Sequence, residues 1–133
     1  MSWTYEIISG RFSDPSATLC GKGYSGQPPH VNDIAAQSME NQGPIPAGLW
    51  QAVEMIPEST SHGPFAIRLE PYPETQTFGR SGFMMHGDSV KRPGYASDGC
   101  IVMSRDVREL FWASSDHDIQ VIAQEAIAPD PTS

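Results

Sequence analysis

Glycine and proline interrupt this chain throughout and limit it to short structural elements. There are 12 of each among 133 residues, and they recur along the chain instead of clustering in one linker. The segments between them are short and rich in β-branched, aromatic and other apolar residues. Frequent turn residues between short β-like runs are typical of a mostly β domain.

Seven short runs are the predicted strands. They cover 3–9, 17–20, 49–55, 65–70, 82–86, 100–103 and 119–124. Residues 21–42 read as a loop, and 43–48, with two prolines, as a rigid segment leading into the strand near Leu49. Cys20 is expected to be an unpaired strand residue, although a disulfide with Cys100 is arithmetically possible.

The periodicity changes after Ser104. Val107, Leu110 and Phe111 are spaced i, i+3 and i+4, which predicts one short amphipathic helix with a buried apolar face. Ser104 is the expected N-cap and Asp106 falls in the first turn. The charged residues of the helix, Arg105, Arg108 and Glu109, are expected to face away from the core.

The length fits one domain, expected at 1–125 and followed by a flexible tail at 126–133. A formal net charge of −8 argues against binding to nucleic acid or to an anionic membrane surface, since both require basic patches. The sequence contains no apolar run of 18 residues, so no transmembrane helix is expected. The first residues lack the basic region and cleavage site of a signal peptide and read as a strand.

His86 and Cys100 are the strongest candidates for chemistry. They are 14 residues apart, one at the end of an apolar run and the other at the start of the next, with a polar loop between them. If the two strands are neighbours, the imidazole can take the thiol proton, and the thiolate can then act in acyl transfer. Gly99 permits a sharp turn that would direct its own N–H and that of Cys100 at a developing oxyanion.

Other uses of these side chains are weaker. His86, Asp88, Asp98 and Cys100 are metal-ligand types, but no paired Cys or His spacing supports zinc, so neither a metal nor another cofactor is predicted. His30 and His62 lie in loops rich in Pro, Gly and Ser and are expected to be solvated. His117 follows the helix in what reads as an exposed connection. Asp88 is expected to brace its own loop.

Three motifs occur in a recognisable order. They are Gly23-Tyr24-Ser25-Gly26, then Gly43-Pro44-Ile45-Pro46-Ala47-Gly48, then His86-Gly87 followed by Ser97-Asp98-Gly99-Cys100-Ile101-Val102. Together they resemble the catalytic domain of L,D-transpeptidases, and more closely the L,D-transpeptidase-like toxin effectors of bacterial type VI secretion. The resemblance covers roughly 18–125. Asp98 and Val102 depart from the broader family, which often has His and Arg or Asn there.

The resemblance implies a β-sandwich or barrel and a role for each motif residue. Cys100 would be the nucleophile and His86 the base, its ring oriented by the Gly87 carbonyl. Tyr24 and Ser25 would line the substrate groove, which Asp98 also borders. Two assignments stay open: Ser97 could act on the thiolate or substrate, or hold its turn, and Arg105 could bind a substrate carboxylate or be solvated.

The implied activity is acyl transfer on the tetrapeptide stems of peptidoglycan, as an L,D-carboxypeptidase, an L,D-transpeptidase or both. The acyl acceptor is left open between water, a D-amino acid and another stem. An effector made without a signal peptide would be exported by secretion machinery, act in the periplasm of a target bacterium and meet an immunity protein there. The alternatives are a papain-like cell-wall amidase using Cys100 and His117, and a non-catalytic binding or immunity-type domain.

Overall fold

The computed structural model describes residues 2–123. This part of the chain forms nine strands, one helix (α1) and one 3-10 turn (Ile34–Ala36). In chain order the elements are β1 Trp3–Glu6, β2 Arg11–Ser13, β3 Leu19–Lys22, β4 Tyr24–Ser25, β5 Gly48–Ser59, β6 Gly63–Pro71, β7 Met84–His86, β8 Ile101–Val102, α1 Arg105–Ala113 and β9 Asp118–Ile122.

The nine strands form one sheet that curls into a nearly closed barrel. Its order is β3-β2-β1-β9-β5-β6-β7-β8-β4, so the two edge strands, β3 and β4, follow one another in the sequence. Gly23 joins them, and its N–H donates to the Gly10 carbonyl at 2.8 Å. The predicted mostly β class with one short helix is therefore confirmed.

Aromatic side chains from three elements fill one part of the core. Trp3 of β1 stacks on Phe12 of β2 with ring centroids 4.9 Å apart, and Phe111 of α1 packs edge-on against both, at 5.2 and 5.4 Å. A second contact joins Trp50 to Phe83, at 4.8 Å. Offset and edge-on contacts of this kind add to the free energy gained by burial, and they fix α1 against the sheet.

The seven predicted strands correspond to observed ones, with shifted ends. The prediction that 21–42 is a loop is wrong at its start, since β3 extends to Lys22 and Tyr24–Ser25 forms β4. Such a short strand leaves no periodic pattern to detect. Strand β2 was also missed. The segment 43–48 does lead into β5, and Cys20 lies on β3 as a free cysteine.

The helix begins after Ser104, as predicted, but part of its buried face is different. The Ser104 hydroxyl accepts from the Val107 N–H, and Val107 and Phe111 are buried. Leu110, expected in the core, is exposed, whereas Arg108, expected outside, is buried. The guanidinium takes this position because it donates to main-chain carbonyls, including that of Phe65 at 2.9 Å.

Two further expectations concern the membrane and the tail. Within residues 2–123, no helix is long and apolar enough to cross a membrane. The predicted tail at 126–133 lies outside the described residues.

Candidate active site

Strands β7 and β8 are neighbours that run parallel, and their register brings His86 and Cys100 to one face. Met85 pairs with Ile101, so Cys100, just before β8, lies level with Met84. Because side chains alternate along a strand, Met84, His86 and Cys100 share one face. Met85 and Ile101 point the other way, into the main core.

The Cys100 thiol is buried, with 2% of the residue exposed. Burial raises its pKa to about 12, although a backbone hydrogen bond from Met84 and the positive charge of Arg80 act in the opposite direction. Its Sγ lies within 4.8 Å of a His86 ring nitrogen. A thiol in this environment is protonated at neutral pH and needs a base before it can attack.

His86 has the properties of that base. Its Nδ1 lies 2.8 Å from the Gly87 carbonyl, and since a carbonyl only accepts, Nδ1 carries the hydrogen and Nε2 the lone pair. The buried Nε2 has no hydrogen-bond partner among the described residues. Burial lowers the pKa of His86, so the imidazole is neutral at pH 7. The Gly87 contact implied by the resemblance is present.

His62 also reaches this site, contrary to the prediction that it is solvated. It lies in the turn between β5 and β6, and its ring centroid is 4.8 Å from that of His86. One ring nitrogen of each histidine and the Cys100 Sγ all lie within 4.8 Å of one another. No sequence spacing links His62 to the other two. The length and curl of the β5–β6 hairpin bring it there.

Arg80 supports the turn that precedes the nucleophile. It is 6% exposed, and its guanidinium donates to the carbonyls of Gly43 at 2.9 Å and Pro44 at 2.8 Å. A Cβ on Gly99, whose φ is +144°, would come within 2.5 Å of Arg80 Nη2. Glycine is therefore required at 99 both for its backbone angle and for the close packing. No pattern in the sequence indicated a role for Arg80.

Ser97 holds the same turn through its hydroxyl. This group accepts from the N–H of Gly26 at 2.9 Å and of Gly99 at 3.1 Å, and donates to the Cys100 carbonyl at 2.5 Å. The geometry favours the turn-holding alternative over direct action on the thiolate. It also means that the Gly99 N–H, expected to face an oxyanion, is already engaged by Ser97.

The two hydroxyl residues of the first motif have different positions. Ser25 is fully buried, where it donates to the Gly99 carbonyl at 3.1 Å and accepts from the Ile45 N–H at 2.8 Å. The expectation that Ser25 lines the groove is therefore wrong, because its alternation on β4 turns it inward. Tyr24 does line a cavity, and donates to Asp88 at 2.6 Å.

Asp88 braces its own loop, as predicted. Its carboxylate accepts from the N–H of Ser89 at 2.8 Å and of Gly94 at 3.1 Å, besides the bond from Tyr24. Burial and the bond to Asp88 raise the pKa of Tyr24 to about 12. The tyrosine hydroxyl therefore stays protonated and ties the loop to β4.

His62 lines two cavities. The smaller, about 220 Å³, is lined by Cys100, Gly99, Arg80 and the exposed Asp98. The larger, about 900 Å³, is lined by His86 together with Tyr24 and the helix residues Arg105 and Arg108. Cys100 and His86 thus line different cavities, and His62 lines both.

Arg105 lies at the rim of the larger cavity and is partly neutralised. Its Nε donates to Glu109 at 2.8 Å, and its guanidinium lies 5.2 Å from the centre of the Phe65 ring. About half of the side chain is exposed. Both alternatives for Arg105 therefore stay open.

The remaining histidines are engaged elsewhere. His117 stacks on Trp112 with centroids 4.4 Å apart, and its Nε2 lies 2.8 Å from the Trp112 carbonyl. It is half-buried and not the exposed connection expected. His30 lies 3.3 Å from Asp33. Neither belongs to the group around the sulfur.

Comparison with known proteins gives one family match. A family model described as the Tlde1 domain matches residues 21–124, a span that includes every residue of the site described above. The search among curated proteins found no match.

Proposed function

The chain belongs to the Tlde1 domain family of type VI secretion effector toxins, and we propose that it is a cysteine acyl-transfer enzyme acting on peptidoglycan tetrapeptide stems. The observation that carries the proposal is the buried thiol of Cys100, whose sulfur lies within 4.8 Å of a ring nitrogen of His86. The Nε2 of that histidine has no hydrogen-bond partner within residues 2–123. A neutral imidazole whose other nitrogen is held by a carbonyl is suited to general-base catalysis.

The first step forms a thioester. His86 Nε2 takes the Cys100 proton while the sulfur attacks the carbonyl that joins the L-centre of the third-position diamino acid to the terminal D-alanine. The carbon–nitrogen bond then breaks, and the imidazolium returns the proton to the leaving amine. D-alanine departs and the stem remains as a tripeptide acyl group on Cys100.

The second step releases the enzyme. Water, or the amine of a D-amino acid or second stem, gives a proton to His86 and attacks the thioester. The carbon–sulfur bond breaks and the thiol is restored. Water as acceptor gives L,D-carboxypeptidase activity, and an amine gives exchange or a cross-link.

The two cavities differ in a way that fits the two sides of the scissile bond. The smaller one, beside Cys100, has room for a small residue such as D-alanine, and the guanidinium of Arg80 supplies positive charge for its carboxylate. The larger one would hold the rest of the stem, whose carboxylates can meet Arg105 at the rim. Asp98 borders the smaller cavity, where it would disfavour anionic groups other than one held by Arg80.

The direct test is release of D-alanine from purified disaccharide tetrapeptide. We expect release by the wild type and a loss of at least about 100-fold in Cys100→Ala and His86→Ala, the size typical of removing a nucleophile or general base. His117→Ala is the matched control, a half-buried histidine outside the site that should retain activity.

Each rival predicts a different result. Loss with His117→Ala but not with His86→Ala would overturn the proposal in favour of the amidase. No release by a folded wild-type protein, on tetrapeptide with or without a D-amino acid acceptor, would favour a binding domain. Loss of D-alanine release in each of the single variants Cys100→Ala and His86→Ala supports the proposal.

The proposed setting follows from the family. A type VI effector is expected to have a secretion carrier and a cognate immunity protein, and a peptidoglycan substrate places its action in the periplasm of the target cell. We propose that the immunity protein occludes the two cavities, since blocking either one would exclude part of the stem.

A further inference from the structure

Three side chains from separate parts of the chain converge on one point. His62 comes from the β5–β6 turn, His86 from the end of β7 and Cys100 from the position just before β8. One ligand atom of each lies within 4.8 Å of the other two. Two imidazole nitrogens and one thiolate are a donor set that Zn²⁺ takes in proteins, with water in the fourth position.

His86 already has the arrangement of a metal-binding histidine. Its Nδ1–H is held by the Gly87 carbonyl at 2.8 Å, and histidines that bind metals usually donate their other ring N–H to a carbonyl or carboxylate. Its Nε2 is buried and has no partner among residues 2–123. A buried polar atom of this kind carries a free-energy cost that a bound ion would remove.

His62 can complete the set because of where it lies. Ligand atoms in a tetrahedral zinc site with bonds of about 2.0–2.3 Å are about 3.3–3.8 Å apart, so atom pairs at the 4.8 Å limit would have to approach by about 1–1.5 Å. The histidine is half-buried in a turn, and its Nδ1 lies 3.0 Å from the Ser61 hydroxyl. Its position in a hairpin turn lets it approach while the two strand residues stay fixed.

The surroundings of the group favour a cation at its open side. Glu40 and Asp98 line the smaller cavity next to Cys100. Arg80 lines it too, and its positive charge offsets only one of the two carboxylates, which leaves the lining net negative. Carboxylates beside the opening raise the local concentration of divalent cations.

We propose that His62, His86 and Cys100 form a Zn²⁺ site that reversibly silences the thiol. Binding breaks the S–H bond, releases that proton to solvent and forms bonds from Zn²⁺ to the sulfur and two ring nitrogens, with no change in oxidation state. The ion then occupies both the attacking sulfur and the nitrogen that would take its proton. Its inhibitory role rests on the proposed function, whereas its existence as a binding site does not.

Binding is tested on the metal-stripped protein without any turnover. Titration with Zn²⁺ in a calorimeter should give one ion per chain, with proton release on binding. Co²⁺ as a spectroscopic probe should give a thiolate-to-cobalt charge-transfer band. We expect His62→Ala and Cys100→Ser each to weaken Zn²⁺ binding at least about tenfold, and the charge-transfer band to vanish in Cys100→Ser.

His30→Ala is the matched control, because His30 is a half-buried loop histidine outside the group. It should bind Zn²⁺ as the wild type does. No stoichiometric binding, or equal affinity in His62→Ala and the wild type, would overturn the site. Circular dichroism of each variant separates loss of a ligand from loss of the fold.

Inhibition is measured as the ratio of D-alanine release without and with Zn²⁺ in the same protein. We expect a large ratio for the wild type, reversal by a chelator, and a ratio at least about tenfold smaller for His62→Ala. Release that requires Zn²⁺ would overturn the inhibitory role. If the wild type shows no release under any condition, the proposed function fails, while the titrations still decide whether the zinc site exists.

Discussion

The protonation states of single residues decide which kind of cysteine mechanism is open to this site. Burial lowers the pKa of His86 below its ordinary value near 6.5 and raises that of Cys100 to about 12. Between those two values both groups are neutral. The resting site is therefore a thiol beside a free base and not a thiolate–imidazolium ion pair, in contrast to cysteines with lowered pKa values.

This pairing predicts the pH dependence of kcat/KM for D-alanine release by chelator-treated protein. Protonation of His86 removes the base, so activity is lost as the pH falls through its lowered pKa, below about 6.5. Above that point the rate should stay level across the neutral range. A pH series from about 4 to 9 checks this. A second decline on the alkaline side near pH 8, as an ion pair gives, would contradict it.

Gly99 provides a second prediction at the scale of one residue. In Gly99→Ala the new Cβ lies at an unfavourable φ of +144° and within 2.5 Å of Arg80 Nη2, so we expect destabilisation of about 1–3 kcal/mol and strongly reduced D-alanine release. Gly79→Ala is the control, since its φ is also positive, at +74°, but nothing lies within 4 Å of its Cβ. Denaturant unfolding of both variants gives the comparison. Equal destabilisation would show that the Arg80 contact is unimportant.

Among the elements, α1 is held to the sheet partly by a buried cation. Arg108 is 3% exposed and donates to the carbonyls of Met103, Phe65 and Pro64. The last two lie beyond the paired part of β6 and β7, which begins at Ile67. Their carbonyls therefore lack a strand partner on that side, and the guanidinium supplies one.

Arg108→Met should therefore destabilise the fold, although methionine supplies an apolar side chain of similar length. It leaves buried carbonyls without donors, and we expect a loss of about 2–4 kcal/mol in the free energy of unfolding. Arg105→Met on the preceding turn is the control, because its exposed pair with Glu109 contributes less than about 1 kcal/mol. Chemical denaturation measures both, and a change below about 1 kcal/mol for Arg108→Met would refute the buried-cation account.

The same elements show how far the sequence could lead. The spacing of His86 and Cys100 and the polar loop between them predicted two strands whose ends would meet if the strands were neighbours, because both residues border local apolar runs. His62 could not be assigned in this way, since a turn reaches the site only through the curl of β5 and β6. On α1, Arg108 is buried and Leu110 is exposed, the reverse of the prediction. The burial of Arg108 depends on unpaired carbonyls of another element, and helical periodicity carries no information about those carbonyls.

For the whole molecule, the barrel places His86 and Cys100 near one end of the strand order. Strands β7, β8 and β4 are the last three in the order, and β4 pairs with β8 through Tyr24–Val102 and Ser25–Ile101. The first motif thus touches the nucleophile turn although the sequence separates them by about 70 residues. The family match over residues 21–124 includes both of these segments.

The compartment in which the domain acts is a property of the whole molecule and gives the last prediction. If the substrate is peptidoglycan, toxicity requires access to the periplasm, where the cell wall lies. Expression in a susceptible bacterium with an added export signal should therefore reduce viable counts, whereas expression without it should not. Cys100→Ala with the same export signal is the control for burden from export alone, and should be harmless if acyl transfer is the toxic activity.

Equal killing from the cytoplasm would place the target elsewhere. Killing by exported Cys100→Ala would mean that the fold is toxic without its thiol. Muropeptide analysis of the exported wild type should show tetrapeptides converted to tripeptides or exchanged products before lysis, which ties the loss of viability to the chemistry of Cys100.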